Sequence, residues 1–188
     1  MHLFEPNLPD GFCYRADFLT VAEQHALAAA IGEVSFDTFA LRGVVARRRV
    51  KFYGAAYDDR PSLPMPDFLL RLREKFAAWA AVPGKAFVMA LINEYTRGAT
   101  IGWHRDAPQY GITAGVSLLS SCRMKLRPYV SPKDLAGRDR RTLRKTTHEI
   151  ELEPRSGYLI TGLARDGYEH SIPPTAALRY SITFRTLR

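Results

Sequence analysis

Thiols, histidines and long apolar runs are all scarce in this chain of 188 residues, which has two cysteines, two tryptophans and five histidines. Two thiols exclude a disulfide-stapled scaffold and any zinc site built on four cysteines. Cys13 and Cys122 are expected to be free, in a reducing compartment, each serving as a small hydrophobe. No apolar stretch reaches the roughly 18 residues that a membrane-spanning helix needs. The opening Met1-His2-Leu3-Phe4-Glu5-Pro6 lacks the basic-then-apolar layout of a secretory signal. The expectation is therefore a cytoplasmic protein, nuclear or organellar if eukaryotic, with no membrane partner. Acid is also short: 19 Asp and Glu stand against 27 Lys and Arg, a formal charge of +8. Such an excess suits a polyanionic partner, nucleic acid first, although charge speaks to association and not to fold. Internal repeats and low-complexity segments are absent. With 46% hydrophobic residues, the length suits one domain with a substantial core.

So few histidines leave few ways to assemble a metal site. His104 and Asp106 are two apart, so an extended backbone projects imidazole and carboxylate from one face. A third ligand is required. His2 lies at a terminus, His25 inside a helical pattern and His148 beside a charged segment, which leaves His170, in Gly167-Tyr168-Glu169-His170-Ser171-Ile172. Two His and one carboxylate on one side of a metal, with the opposite positions open, form the facial triad of non-haem Fe(II) oxygenases. A lone His-x-Asp is a weak signal, but the C-terminal segment adds to it. Arg179-Tyr180-Ser181-Ile182-Thr183-Phe184-Arg185 alternates, with Arg179, Ser181, Thr183 and Arg185 on one face and Tyr180, Ile182 and Phe184 on the other. Two guanidiniums on one strand face make a carboxylate clamp.

Asn93-x-Tyr95, His104-x-Asp106, His170 and Arg179-x-Ser181-x-Thr183-Phe184-Arg185 occur in an order that resembles the AlkB-like branch of the Fe(II)/2-oxoglutarate dioxygenases. The matching motifs span residues 93 to 185, and the first 40 residues add almost nothing. The resemblance implies that His104, Asp106 and His170 bind Fe(II). It implies that Arg179 pairs with the distal carboxylate of 2-oxoglutarate beside Tyr95. Arg185 and Asn93 would engage the end nearer the metal, and Ser181 stands where the family often has Asn. It further implies use of O₂ to hydroxylate an N-methyl carbon, whose hemiaminal collapses to formaldehyde and the bare amine. Ala107-Pro108 follow Asp106 where the best-known DNA-repair members carry a second acid, which leaves the choice of base open.

Several elements can be read along the chain. Residues 1 to 19 form an irregular or short-strand entry. Thr20-Val21-Ala22-Glu23 has the form of a capping box, opening a helix to Ile31 that Gly32 stops. Two or three strands are expected between Val34 and Tyr57, with a tip at Leu41-Arg42-Gly43. Within them Arg47, Arg48, Arg49 and Lys51 sit beside Tyr53 and Tyr57. From the residues alone this is either an edge strand protected by charge or a substrate lid that holds phosphates and stacks on a base. The resemblance favours the lid. After a proline-rich stretch, a helix is expected from about residue 66 or 67 to 81, with Phe68, Leu72, Phe76 and Trp79 packed on the outside of the main sheet.

Ala86 to Tyr95 reads as a buried strand. Further strands are expected over 115–122, 124–129, 149–153 and 158–161. Between them, residues 131 to 147 carry Lys133, Arg138, Arg140, Arg141, Arg144 and Lys145 against Asp134 and Asp139, either a solvated face or a phosphate-contacting loop. Short strands with turn residues about every eight to twelve positions, after N-terminal helices, predict an α+β, mainly β fold. The architecture expected is a double-stranded β-helix, or jelly roll, with the helices on its major sheet. A single domain is expected, with helices and lid strands in 1–85 and the catalytic core in 86–188. The function expected is oxidative demethylation of N-alkylated bases in DNA or RNA by a monomer acting on single strands. The alternatives are the same oxidant acting on RNA, tRNA or protein, and a basic nucleic-acid-binding module without catalysis.

Overall fold

The computed structural model describes residues 8–41, 44–55, 63–131 and 146–188. Helix α1, Val21–Gly32, opens with the capping box: Thr20 Oγ1 accepts from the Glu23 amide, and Glu23 folds back onto the Thr20 amide. Helix α2 spans Asp67–Ala80 and turns out through Ala81 in the left-handed region. Phe76 is fully buried, stacked on Phe18 at 4.5 Å and set against Phe184 at 5.8 Å. Leu72 and Phe76 are buried, with Phe68 and Trp79 packed alongside, as their four-four-three spacing predicts.

Eleven strands are described. They are β1 (Phe12–Arg15), β2 (Asp37–Leu41), β3 (Val44–Gly54), β4 (Phe87–Tyr95), β5 (Ile101–His104) and β6 (Tyr110–Leu118), followed by β7 (Cys122–Pro128), β8 (His148–Leu152), β9 (Gly157–Ile160), β10 (Tyr168–Ile172) and β11 (Arg179–Leu187). The major sheet has the order β1-β9-β6-β11-β4-β3-β2, and the minor sheet β5-β10-β7-β8, all antiparallel. From β4 onward the chain crosses between the sheets repeatedly, so that β4, β6, β9 and β11 face β5, β7, β8 and β10. This is the double-stranded β-helix. Strands β1, β2 and β3 from the first half of the chain extend the edges of the major sheet.

The two faces of the major sheet have separate tasks. Ala90, Ile92, Ala114, Val116, Leu118, Tyr180, Ile182 and Phe184 form one apolar cluster with α1 and α2. A second cluster fills the interior between the sheets with Met124, Leu126, Ile150, Leu152, Tyr158, Ile160 and Ile172. The inward residues of the central strands are therefore partly released from core duty.

Two element boundaries and two further elements depart from the sequence reading. Strand β6 begins at Tyr110, ahead of the expected 115, and Cys122 opens β7 after a reversal in which Leu119 takes φ 73. A short helix, α3 (Gly162–Asp166), and strand β10 were not anticipated as elements. Both thiols are free, as expected, and Cys122 is buried; Cys13, however, is exposed and does not serve as a buried hydrophobe. The lid tip at residues 42–43 lies outside the described residues.

Phe76→Ala should cost about 3–5 kcal/mol, because it removes a buried ring from a packed aromatic group. Thr20→Ala should cost about 1 kcal/mol through loss of one cap. Denaturant midpoints of the two variants will separate the effects.

Candidate metal and cosubstrate centre

His104 and His170 face each other across β5 and β10 as direct cross-strand partners. Opposed residues in an antiparallel pair project from the same face, and the imidazole centroids lie 4.3 Å apart. A register shift between this pair and Ile101–Ile172 lets both pairs face inward although their spacings differ by one residue. Trp103 turns outward, beneath the Arg127 guanidinium at 4.0 Å, and contributes to the cavity wall.

Asp106 lies just beyond β5 and is held from the opposite sheet. Arg185 on β11 donates to Oδ1 from Nη2 at 2.8 Å and Nε at 3.1 Å, and Thr113 Oγ1 on β6 donates to Oδ2 at 2.7 Å. Burial alone would raise the Asp106 pKa, but Arg185, His170 and the Thr113 hydroxyl outweigh it and hold the carboxyl well below the usual range. Arg165 on α3 secures the same loop by donating to the Ala107 and Tyr110 carbonyls. One ligand atom from each of His104, Asp106 and His170 lies within 4.8 Å of the others, a spacing that could hold one metal ion.

The imidazoles are set for coordination. His104 Nδ1 lies 2.9 Å from the Gly102 carbonyl, which can only accept, so that bond places the proton on Nδ1 and leaves the Nε2 lone pair. Burial lowers the pKa of both rings, and for His170, with His104 adding to the effect, to about 3. The surface that the rings retain opens on the cavity.

Beside the triad, the central strands line up polar rows. Arg179 pairs with Tyr95, and Ser181 with both Asn93 and Ser117. Thr183 pairs with Gly115, and Arg185 with Thr113. Gly115 in turn faces Tyr158, and a Cβ at Gly115 would meet the Tyr158 hydroxyl at 2.4 Å, so the absent side chain makes room for that phenol. Arg179 is completely buried. Its Nε donates to Ser117 Oγ at 2.8 Å and its guanidinium lies 5.1 Å from the Tyr95 ring. Nη1 and Nη2 have no hydrogen-bond partner among the described residues. Leaving buried donors unmatched costs about 1–3 kcal/mol each, and the pair presents a fork of the shape a carboxylate accepts. A hard-oxygen and imidazole triad beside such a fork fits Fe(II) and a keto diacid.

The centre opens into a cavity of about 530 Å³. Of the residues assigned to cofactor binding from sequence, Asn93, Tyr95, Ser181 and Arg185 line it, while Arg179 lies against the lining Tyr95 ring. Arg185 is engaged by Asp106, and Asn93 accepts from Arg48 Nε at 3.1 Å.

The structure divides the candidate substrate residues. Arg48 and Arg47 line the cavity. Arg49, Lys51 and Tyr53 do not. Arg49 pairs with Glu94 at 2.7 Å and lies over Phe36, Lys51 approaches Asp37 at 3.4 Å, and Tyr53 packs on the helix-side cluster. A strand alternates faces, so a contiguous basic run cannot present every member to one ligand. Tyr57 and the charged residues from Lys133 to Lys145 lie outside the described residues. Thr113, Ser117, Arg165 and Tyr158 were missed by sequence reasoning. The alternation of Thr113, Gly115 and Ser117 within an otherwise apolar strand was the available signal.

The sequence profile of the 2OG-Fe(II) oxygenase superfamily matches residues 15–185, and the chain belongs to that superfamily. Membership of that superfamily implies Fe(II), 2-oxoglutarate and O₂ as cofactor and cosubstrates. A zebrafish (Danio rerio) protein described as probable RNA/DNA demethylase ALKBH6 is 30% identical over 104 residues, which cover 54% of this chain and 43% of that protein. The chain thus aligns with less than half the length of that relative. In fold it resembles OsALKBH1, with TM-score 0.69 and 13% identity over 95% of this chain and 99% of the other. It also resembles a Pseudomonas putida prolyl-4-hydroxylase, with TM-score 0.60 and 16% identity over 95% and 93%.

His104→Ala should abolish Mn(II) binding, followed by electron paramagnetic resonance, with little change in melting. Asp106→Ala should lose the metal and also about 3–5 kcal/mol of stability, because it strands the buried Arg185. Arg179→Lys keeps the charge but loses the fork, so the 2-oxoglutarate concentration for half-saturation should rise about tenfold or more; an unchanged value would refute the clamp. The metal-free protein should lose stability as pH falls from about 6.5 toward 3, since the unfolded His170 binds a proton that the folded one resists. The slope reaches at most about 1.4 kcal/mol per pH unit for this group, and His170→Gln should flatten it in denaturant titrations.

Proposed function

We propose that the protein is an oxidative demethylase of N-methylated nucleic-acid bases, in DNA, RNA or both. The observation that carries this reading is the wall over the triad, where the Arg48 guanidinium lies 4.5 Å from the Phe39 ring, with Phe52 beside it and exposed Arg47 at the rim. Aromatic faces interleaved with guanidiniums suit a base flanked by phosphates. The net charge of +8 supports the same partner, and the zebrafish relative carries a demethylase description. The superfamily fold alone fixes the oxidant and not the substrate, because prolyl hydroxylation uses it too.

In this mechanism His104, His170 and Asp106 would hold the metal, and Arg185 and Thr113 keep Asp106 ionised and oriented. Arg179 would receive the distal carboxylate of 2-oxoglutarate. Bound there, Fe(II) and the keto acid would supply the chemistry that inserts one oxygen atom of O₂ into the methyl C–H bond. The resulting N–CH₂OH group expels formaldehyde and leaves N–H. A base inside a duplex must first be extruded, at a cost of about a few kcal/mol, and aromatic stacking returns about 1–3 kcal/mol.

Mass spectrometry of mixed methylated DNA and RNA oligonucleotides, incubated with Fe(II) and 2-oxoglutarate, should show loss of the mass of one CH₂ unit, with formaldehyde and succinate released in equal amounts. Methylated peptides belong in the same panel. Turnover confined to them would overturn the proposal.

A further inference from the structure

We propose that Arg48 reads the substrate base, selecting a methylated base that is uncharged and carries a carbonyl beside the methyl group over one bearing positive charge. This rests on the demethylase reading above and names the class of base.

Arg48 lies on the cavity face of β3, 8% exposed, where strand pairing sets neighbouring Val50 opposite Asn93. Among the contacts it makes with described residues are the bond from Nε to Asn93 Oδ1 at 3.1 Å and stacking on Phe39, which hold its side chain against the wall. A guanidinium keeps its charge and only donates. A group so oriented is a preformed partner for a carbonyl oxygen and a repulsive neighbour for a cationic ring.

The remaining charges point the same way. Among the described lining residues Asp106 is the one carboxylate, against Arg47, Arg48, Arg105 and Arg185. Asp106 is also committed, with one oxygen on Arg185 and the other on Thr113, and it belongs to the metal triad. It offers little to neutralise a cationic base, and beside a buried guanidinium such as Arg48 like charges repel more strongly than in water. The wall is therefore complementary to acceptor oxygens.

A closely matched pair of bases provides the test. 3-Methyluracil is neutral, with a carbonyl on each side of the methylated nitrogen. 3-Methylcytosine has the same ring and methyl position but replaces one carbonyl with an amino group and is cationic at neutral pH. Single-stranded RNA oligonucleotides differing only at that base are compared in two ways: by fluorescence anisotropy with metal-free protein, and by formaldehyde release with Fe(II) and 2-oxoglutarate. Wild-type protein should bind the 3-methyluracil strand about tenfold more tightly and demethylate it faster. R48K should keep the sign of the preference, R48Q should bring the two strands toward parity, and R48E should favour 3-methylcytosine.

Equal binding, or preference for 3-methylcytosine with demethylation intact, would overturn the assignment of base class and leave the demethylase reading standing. An undiminished preference in R48Q, with a wild-type melting curve, would remove Arg48 from the role. If methylated strands bind no better than unmethylated ones and neither loses its methyl group while 2-oxoglutarate is consumed, the demethylase reading falls and this proposal with it. The wild-type ratio stands whether or not the variants fold.

Discussion

The pairing of Asp106 with Arg185 ties one sheet of the barrel to the other, and the centre depends on it. His104 and His170 belong to the minor sheet, whereas Arg185 and Thr113 belong to the major one. Asp106 follows the minor-sheet strand β5 and is clasped by the major sheet. A buried ion pair is a doubtful source of net stability, since desolvating both charges offsets much of their attraction. Its value here is positional. A carboxylate with one oxygen on a guanidinium and the other on a hydroxyl has little rotational freedom, so Asp106 is already set relative to the two imidazoles. Such external partners orient metal ligands and tune their basicity.

That arrangement places polar groups inside a β-structure, where apolar residues would otherwise supply the core. The protein meets the difficulty by moving a large share of apolar packing to the outside of the major sheet, beneath α1 and α2. Tyr180, Ile182 and Phe184 contribute there, while Arg179, Ser181, Thr183 and Arg185 on the same strand contribute to the site. Period-two alternation makes this division possible without a bulge among those seven residues. Arg179 shows the cost most clearly, being fully buried with two donor nitrogens unmatched among the described residues. Folding of the helix-side cluster supports a group that, on the proposed reading, completes its bonds with the cosubstrate.

Much of this was legible because the relevant signals are local or strictly periodic. The triad candidates followed from the scarcity of histidine and the two-residue spacing of His104 and Asp106. The two faces of β11 followed from alternation, and α1 from its capping box. Strand β10 was harder to recognise because Glu169, His170 and Ser171 interrupt its apolar pattern, and only pairing with β5 and β7 makes its extended form plain. Thr113 and Ser117 escaped notice because an isolated hydroxyl in a strand has no local mark of its distant partner. Arg49, Lys51 and Tyr53 were grouped with Arg48 by adjacency, although the same alternation that separated the faces of β11 separates them as well.

The distribution of roles between the eight central strands and their added edge strands bears on how such a site can change. The proposed metal and cosubstrate groups come from β4, β5, β6, β10 and β11 or the loop after β5, and Asp106 is the one held across the two sheets by the bonds described above. The wall that meets the substrate comes partly from β2 and β3, appended at one edge of the major sheet. An exchange at Arg48 alters what the cavity presents while leaving His104, Asp106, His170 and Arg179 in place, whereas an exchange at Thr113 or Ser117 disturbs groups that hold those residues. On the proposed reading, the oxidant centre thus draws on both sheets, whereas substrate choice draws on two strands at one edge of the major one. Asn93 joins them, since it lies on the cosubstrate strand β4 and accepts a hydrogen bond from Arg48 on the wall. Motion of the Arg48 guanidinium toward a bound base would therefore be felt first at the Asn93 amide, on the strand that also carries Tyr95.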